Sequence, residues 1–310
     1  MNSQRTVALG VIVLSCLAAN GCVFVPCPDQ HAPLSALVAE HNANAAQVPL
    51  LWARAKIDLT VARGGLLVPL STDGLLLLAK NKNPQTPPGF ALIGRELGHD
   101  IFRIGSSPDE GAYYFWYQFG GSGQAVWGRT ALAGAPGLDA IPLDPYQLLA
   151  VLGINELPKD GSGLPAVVMS MSSSPCAYVV SYIDRQPVSG NVLFRREAHI
   201  DWKKDQEPLR PYRIDFFAAD GRRTLRADLK AYMPIAGTAS AVMPTDITLT
   251  TISWGGQPAS AIRRIHFSLS EMTTEDKWDR SSLLFVENLP QSIVDVVQLD
   301  KNIRTQKDQQ

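Results

Sequence analysis

Apolar positions recur first at helical and then at strand spacing, and the switch predicts where one kind of element gives way to the other. Leu34, Leu37, Val38, His41 and Ala45 fall on one side of a 3.6-residue period, so an amphipathic helix is expected over 34–46, ended near Pro49. From Trp52 the period drops to two. Ala53, Ala55, Ile57, Leu59 and Val61 then share one face, with Arg54, Lys56, Asp58 and Thr60 on the other, the signature of a half-buried strand.

Strand candidates follow in close succession over 66–70, 75–81, 90–94, 100–104, 112–119, 124–129, 166–171, 177–183, 192–202, 212–217, 222–232, 247–254 and 261–270. Thr72-Asp73-Gly74, Phe119-Gly120-Gly121-Ser122-Gly123 and Asp220-Gly221 supply residues that tolerate the positive φ of tight hairpins. Such short connections imply an antiparallel meander, since parallel pairs need long crossovers. One interruption is expected: a short helix over 145–152, with Asp144 as N-cap, Pro145 in the first turn and Gly153 as the stop. No repeat or break in composition divides the chain. A single domain over 34–300 with a polar tail over 301–310 is therefore the expected organisation.

Some segments are apolar on both faces. Tyr113 to Tyr117 is an unbroken aromatic run, and Leu75 to Leu78 and Ala166 to Met169 also lack alternation. Both sides of these strands must be covered. The expected fold class is α+β, an incomplete, strongly curved antiparallel β-barrel wrapped around the two short helices. Its interior is either an apolar cup or filled by side chains. Tyr114, Trp116, Trp127, Leu149 and Met169 are the expected lining of such a cup, on a register that a one-residue slip would invert.

The N-terminus carries a different message. Arg5 precedes an apolar run from Val7 to Ala19, too short to cross a bilayer but laid out as a secretory signal peptide. Leu17-Ala18-Ala19-Asn20-Gly21-Cys22 resembles a bacterial lipobox, which implies removal of residues 1–21, acylation of Cys22 and a tether over 22–33. Asn20 is off-pattern, cleavage after Gly21 by an ordinary signal peptidase fits a small-x-small pair, and Val13-Leu14-Ser15-Cys16 is a second lipobox candidate. A lipidated chain would be attached to a membrane without spanning it.

Removing residues 1–21 leaves 289 residues and moves the formal charge from -1 to about -2. With no basic block, a nucleic-acid partner is not expected. Cys27 and Cys176 are the remaining cysteines, and an oxidising compartment permits them to pair, which would pin the tether to the domain. No zinc-type Cys/His spacing, nucleophile elbow, phosphate loop or dinucleotide fingerprint occurs, so neither a cofactor nor an enzyme activity is expected. Glu197, His199 and Asp201 share one strand face and read as its solvated side; His99-Asp100 reads as a charged strand end.

Phe102-Arg103-Ile104-Gly105-Ser106-Ser107, Tyr114-Phe115-Trp116, Trp127-Gly128-Arg129 and Phe216-Phe217-Ala218-Ala219-Asp220-Gly221-Arg222, in this order of elements, resemble LolA/LolB-like lipoprotein carriers over roughly 34–290. The resemblance implies an incomplete barrel around short helices that holds acyl chains. This chain is longer than the typical carrier, and an anchored N-terminus is more similar to the LolB type. Val23, rather than Asp, after Cys22 implies the outer membrane, facing the periplasm. A 16-carbon palmitate chain moved into such a cup would gain roughly 12 kcal/mol at about 0.8 kcal/mol per CH₂, before the cost of lost freedom. The alternatives are an envelope scaffold with a filled cup or an anchored hydrolase.

Overall fold

In a computed structural model of the chain the described residues are 27, 32–63, 66–82, 86–119, 122–132, 145–157, 167–173, 176–185, 192–201, 210–218, 220–252 and 262–301. Helix α1 (Leu34–Ala46) precedes six strands: β1 (Leu50–Arg63), β2 (Leu66–Ala79), β3 (Gly89–Glu96), β4 (His99–Ser107), β5 (Ala112–Phe119) and β6 (Ser122–Arg129). Helix α2 (Pro145–Val151) separates these from β7 (Val167–Ser173), β8 (Cys176–Arg185), β9 (Val192–Asp201), β10 (Pro211–Phe217), β11 (Arg223–Pro234), β12 (Val242–Thr251) and β13 (Ile262–Thr273). A short strand β14 (Asp295–Gln298) comes last.

All fourteen strands join one large, curved, unclosed sheet in the order β14-β6-β5-β4-β3-β2-β1-β13-β12-β11-β10-β9-β8-β7. Each half is a meander, and β1 and β13 stitch the halves together from Trp52↔Thr273 to Val61↔Ile262. Every pair is antiparallel except β14 with β6, which is parallel and departs from the meander expected from the sequence. Parallel pairing becomes available because a long segment, 274–294, carries the chain back across the sheet before β14 begins.

The period-two pattern explains the main core. Ala53, Ala55, Ile57 and Leu59 of β1 meet Leu76 and Leu78 of β2, Phe90 and Leu92 of β3, Ile247 and Leu249 of β12, and Ile265 and Phe267 of β13, all on one inner face. Leu37 and Val38 of α1 and Leu148, Ala150 and Val151 of α2 pack into the same cluster. Helix α2 stops at Gly153, at φ +68, in the left-handed conformation that glycine adopts without strain. Asp144, its expected N-cap, lies outside the described residues.

Thr72-Asp73-Gly74 is not a turn. The segments expected as two strands over 66–70 and 75–81 form the single strand β2, paired residue by residue with β1 from Leu50↔Ala79 to Arg63↔Leu66. Gly74 is there for close approach. A Cβ on it would lie 1.9 Å from the Ile93 carbonyl oxygen, so the glycine lets β3 sit tightly on β2. Asp220-Gly221 does turn the chain, with Gly221 at φ +82 and Ala218 N–H donating to Arg222 O. Phe119 pairs with Ser122 across the β5–β6 connection, whose Gly120 and Gly121 lie outside the described residues.

Two of the three segments that are apolar on both faces are buried on both. Tyr113 and Phe115 face the main core, while Tyr114 and Trp116 pack on the outer face with Phe285 and Ile293. Leu76 and Leu78 face inward, and Leu77 packs outward with Leu283 and Trp278. The cover on the outer side is the segment after β13, which includes a single 3-10 turn over Arg280–Leu283, and not α1 or α2. The third segment is not covered: β7 is an edge strand, and its Val168 is 59% exposed.

Candidate functional site

The N-terminal half of α1 lies over β8–β10. Leu34, Leu37, Val38, Ala150, Leu157, Val180, Tyr182, Ala198, Ile200, Pro211 and Ile214, with His41 and Asn155, enclose a cavity of about 30 Å³, room for about two water molecules. Its lining is apolar apart from the two side chains at one end. Alternation supplies that lining, because Val180 and Tyr182 of β8, Ala198 and Ile200 of β9 and Ile214 of β10 are all inward positions.

Polar side chains of α1 fasten it to the segment after α2. Asn42 donates from Nδ2 to Leu157 O and accepts at Oδ1 from Leu157 N–H, both at 2.7 Å. Asn44 makes the same reciprocal pair with Val242 at 3.0 and 2.9 Å. His41 Nε2 lies 2.7 Å from Asn155 O. Burial lowers the His41 pKa to about 4; the Asn155 backbone hydrogen bond opposes this, and the charges of Arg196 and Arg210 add to it. Lys80 Nζ donates to Ala45 O at 2.6 Å, at the helix end where a cation meets free carbonyls. Burial brings that ammonium down to about 8, against the pull of Glu156.

Arg196 places a charge on the inner side, opposite Tyr182 across β8 and β9. It is 2% exposed, with its guanidinium 4.2 Å over the Tyr182 ring, a cation–π geometry. At the rim, Cys27 and Cys176 form a disulfide with Cα atoms 5.6 Å apart, and Ala32 N–H donates to Tyr178 OH at 2.7 Å. The residues leading into α1 are thus fixed to β8.

The five residues expected to line one cup do not come together. Leu149 and Met169 pack at the edge of the inner core. Tyr114, Trp116 and Trp127 occupy the outer face instead, where Phe285 stacks on Tyr114 at 5.0 Å between centroids and tilts against Trp127 at 6.3 Å. The cause is register: in Tyr113-Tyr114-Phe115-Trp116 the odd-numbered residues point inward. Tyr114 OH donates to Leu283 O at 3.0 Å, and burial pushes its pKa up to about 12 against the nearby Arg103. Trp116 also floors an open groove of about 560 Å³ bounded by His99, Asp100, Ile101, Gln118 and residues 287–290. Cys22 lies outside the described residues.

The outer face of the second meander carries a charge cluster that sequence spacing did not reveal. Asp215, 3% exposed, accepts from Arg226 Nε at 3.0 Å, with Arg213 Nε at 3.2 Å, Arg223 at 3.4 Å and His199 Nε2 at 3.4 Å. Burial alone would raise the Asp215 carboxyl; the hydrogen bonds from His199 and Arg226 and the charges of Arg213 and Arg226 outweigh it and hold the pKa at about 2. His199 is therefore a buried member of an ion cluster rather than part of a solvated face. The cluster spans β9, β10 and β11, and only cross-strand register brings it together. Asp100, the second residue of β4, belongs to a charged strand end, bonded to Arg95 at 2.9 Å and to Arg103 at 2.6 Å. Among the described residues no three His, Cys, Asp or Glu side chains are grouped to hold a metal ion. No helix among them is long and apolar enough to cross a membrane.

No protein-family model and no curated protein matches the sequence. Among solved structures, the chain is similar to a DUF1329-family protein of Desulfovibrio piger at 9% identity and a TM-score of 0.49, over 84% of this chain and 100% of that one. It is similar to a LolA-superfamily protein of Nitrosomonas europaea at 11% identity and a TM-score of 0.45, over 83% and 100%. An outer membrane lipoprotein-sorting protein domain of Vibrio parahaemolyticus aligns at 11% identity and a TM-score of 0.41, over 80% and 95%.

Proposed function

We propose that this chain is a non-enzymatic envelope lipoprotein, anchored to the outer membrane through an acylated Cys22, whose single domain over 34–300 takes up a lipid or the acyl chain of an acylated protein between α1 and the inner face. The observation that carries the reading is the lining under α1, apolar on the helix and on three successive strands, with polar groups confined to one end. The sheet would wrap around both helices as an incomplete barrel. Leu149 and Met169 would extend the lining, while Tyr114, Trp116 and Trp127 would hold the outer cover in place.

Uptake requires movement. Ligand sites run to about 300–1,000 Å³, and the cavity under α1 is about 30 Å³. The asparagine pairs and Lys80 hold the C-terminal half of α1, so opening would swing its N-terminal half, with Leu34, Leu37 and Val38, outward and would have to break the Ala32–Tyr178 hydrogen bond that ties it to β8. The same small volume favours a second reading, in which the interior is filled and the protein is an envelope scaffold.

Lipid analysis separates the two. The chain starting after Cys22 is purified without detergent from an exporting bacterial host, and its organic extract is weighed by mass spectrometry. The carrier reading expects stoichiometric phospholipid or fatty acid, reduced at least tenfold by Leu34→Asp with far-UV circular dichroism unchanged. A folded protein that stays empty after incubation with vesicles would establish the scaffold.

A further inference from the structure

The hairpin of β7 and β8 forms one edge of the sheet, and it is bare in a particular way. Val168 is 59% exposed, Met171 45% and Ile183 37%. From Gly161 to Ile183 the sequence holds no Asp, Glu, Lys or Arg, the longest uncharged run after the export segment. The opposite edge also exposes valines, Val296 at 42% and Val297 at 40%, but there charge accompanies them: β14 begins at Asp295 and leads to Asp300 and Lys301. Exposed edges are usually guarded by charge, so an uncharged edge with apolar side chains calls for a partner.

The disulfide says which partner. Cys27 bridges to Cys176 at the start of β8, and its Sγ lies 3.8 Å from the carbonyls of Ser172 and Ser173 at the end of β7. Cys27 is five residue steps from Cys22, so at about 3.5 Å per step the bridge sits within about 18 Å of an anchored Cys22. Val23-Phe24-Val25-Pro26 between them is uncharged. Without the bridge the next held point among the described residues is Ala32, which doubles that reach to about 35 Å.

Resting on the proposed anchor at Cys22, we propose that the disulfide makes the β7–β8 hairpin a membrane-docking edge, with Val168 and Met171 seated against the lipid surface. The bridge would orient the whole sheet, and it would turn the N-terminal end of α1, which Ala32 ties to β8 through Tyr178, toward the bilayer that supplies or receives the acyl chain. Tether and apolar edge act as two weak membrane signals joined in one rigid unit.

Hydrogen–deuterium exchange on the full acylated chain in phosphatidylethanolamine and phosphatidylglycerol vesicles tests the proposal, with a secreted Cys22→Ser chain in solution as reference. Amides of 167–173 are expected to exchange at least tenfold more slowly on vesicles, while those of 295–298 do not change. The doubly substituted Val168→Asp, Met171→Asp chain alters only exposed side chains and keeps both anchor and bridge; it is expected to lose the protection. Cys27→Ala with Cys176→Ala is expected to lose it too, with Cys22 still acylated by intact mass. An acylated chain whose 167–173 amides stay unprotected, or whose protection survives both aspartates, overturns the docking edge alone. An unmodified Cys22 in the intact mass overturns the anchor reading, and the docking edge with it.

Discussion

Asp215 sits where β9, β10 and β11 meet, a buried carboxylate bonded to Arg213, Arg223, Arg226 and His199. Its folded pKa, about 2 against an ordinary 3.8, means that the folded state favours the ionised form. That stability is fully present above pH 4 and is lost as pH falls toward 2, because the unfolded chain then takes up the proton first. The loss amounts to about 2 kcal/mol. Replacing Asp215 by Asn should cost about 3 kcal/mol at pH 7, since it leaves like charges packed together without their partner. Urea unfolding at pH 7, 4 and 2.5 checks both points: the gap between parent and variant should narrow by up to about 2 kcal/mol across the acid range. A gap that stays constant would mean that packing, not charge, sets the value of this position.

At the scale of elements, period decides what can be read. Helices over 34–46 and 145–152 were legible because 3.6-residue spacing ends at Pro49 and Gly153, and the structure places α1 and α2 within a residue of those bounds. Strand faces were legible wherever apolar and polar residues alternate, as in β1. The turn at 72–74 was misread because Asp-Gly carries the same chemistry whether it turns the chain or lets Gly74 approach Ile93; only the neighbouring strand distinguishes them. The fastening of α1 was also hidden, since Asn42 and Asn44 look like solvated helix positions until the carbonyls of 153–157 arrive. His41 belongs to that fastening and yields a prediction. Its folded pKa is lowered, so between pH 6.5 and 4 the unfolded chain binds a proton that the folded chain refuses, and stability falls as pH falls through that window. The full loss is about 3 kcal/mol. A pH series of denaturant unfolding should show this slope in the parent and a flatter one in His41→Gln. Identical slopes would mean that His41 is hydrated and the end of α1 already open.

For the molecule as a whole, the sequence shows that Tyr113 to Tyr117 needs cover on both sides but not what supplies it. Residues 274–294 have no period to announce them, because they lie across the outer face as a chain of individual contacts before β14 joins the sheet edge. Arg103 donates to Ser282 O at 2.8 Å, and Glu110 accepts from the backbone N–H groups of Phe285 and Val286. Arg129 bonds to Asp300 at 2.9 Å, and Leu299 N–H donates to Trp127 O at 2.9 Å. Phe285 is the central piece, buried against both Tyr114 and Trp127. If the segment holds the sheet as these contacts imply, Phe285→Ala should cost about 3–5 kcal/mol, the usual range for emptying a buried phenylalanine site. Tryptophan emission should shift to the red as Trp127 and Trp116 meet water, which the same unfolding experiment can record at zero denaturant. A cost under about 1 kcal/mol with unchanged emission would mean that the aromatic face is held by its own strands. The return segment would then be free to leave the outer groove over Trp116, and the 560 Å³ there, rather than the closed space under α1, would become the first place to look for a ligand.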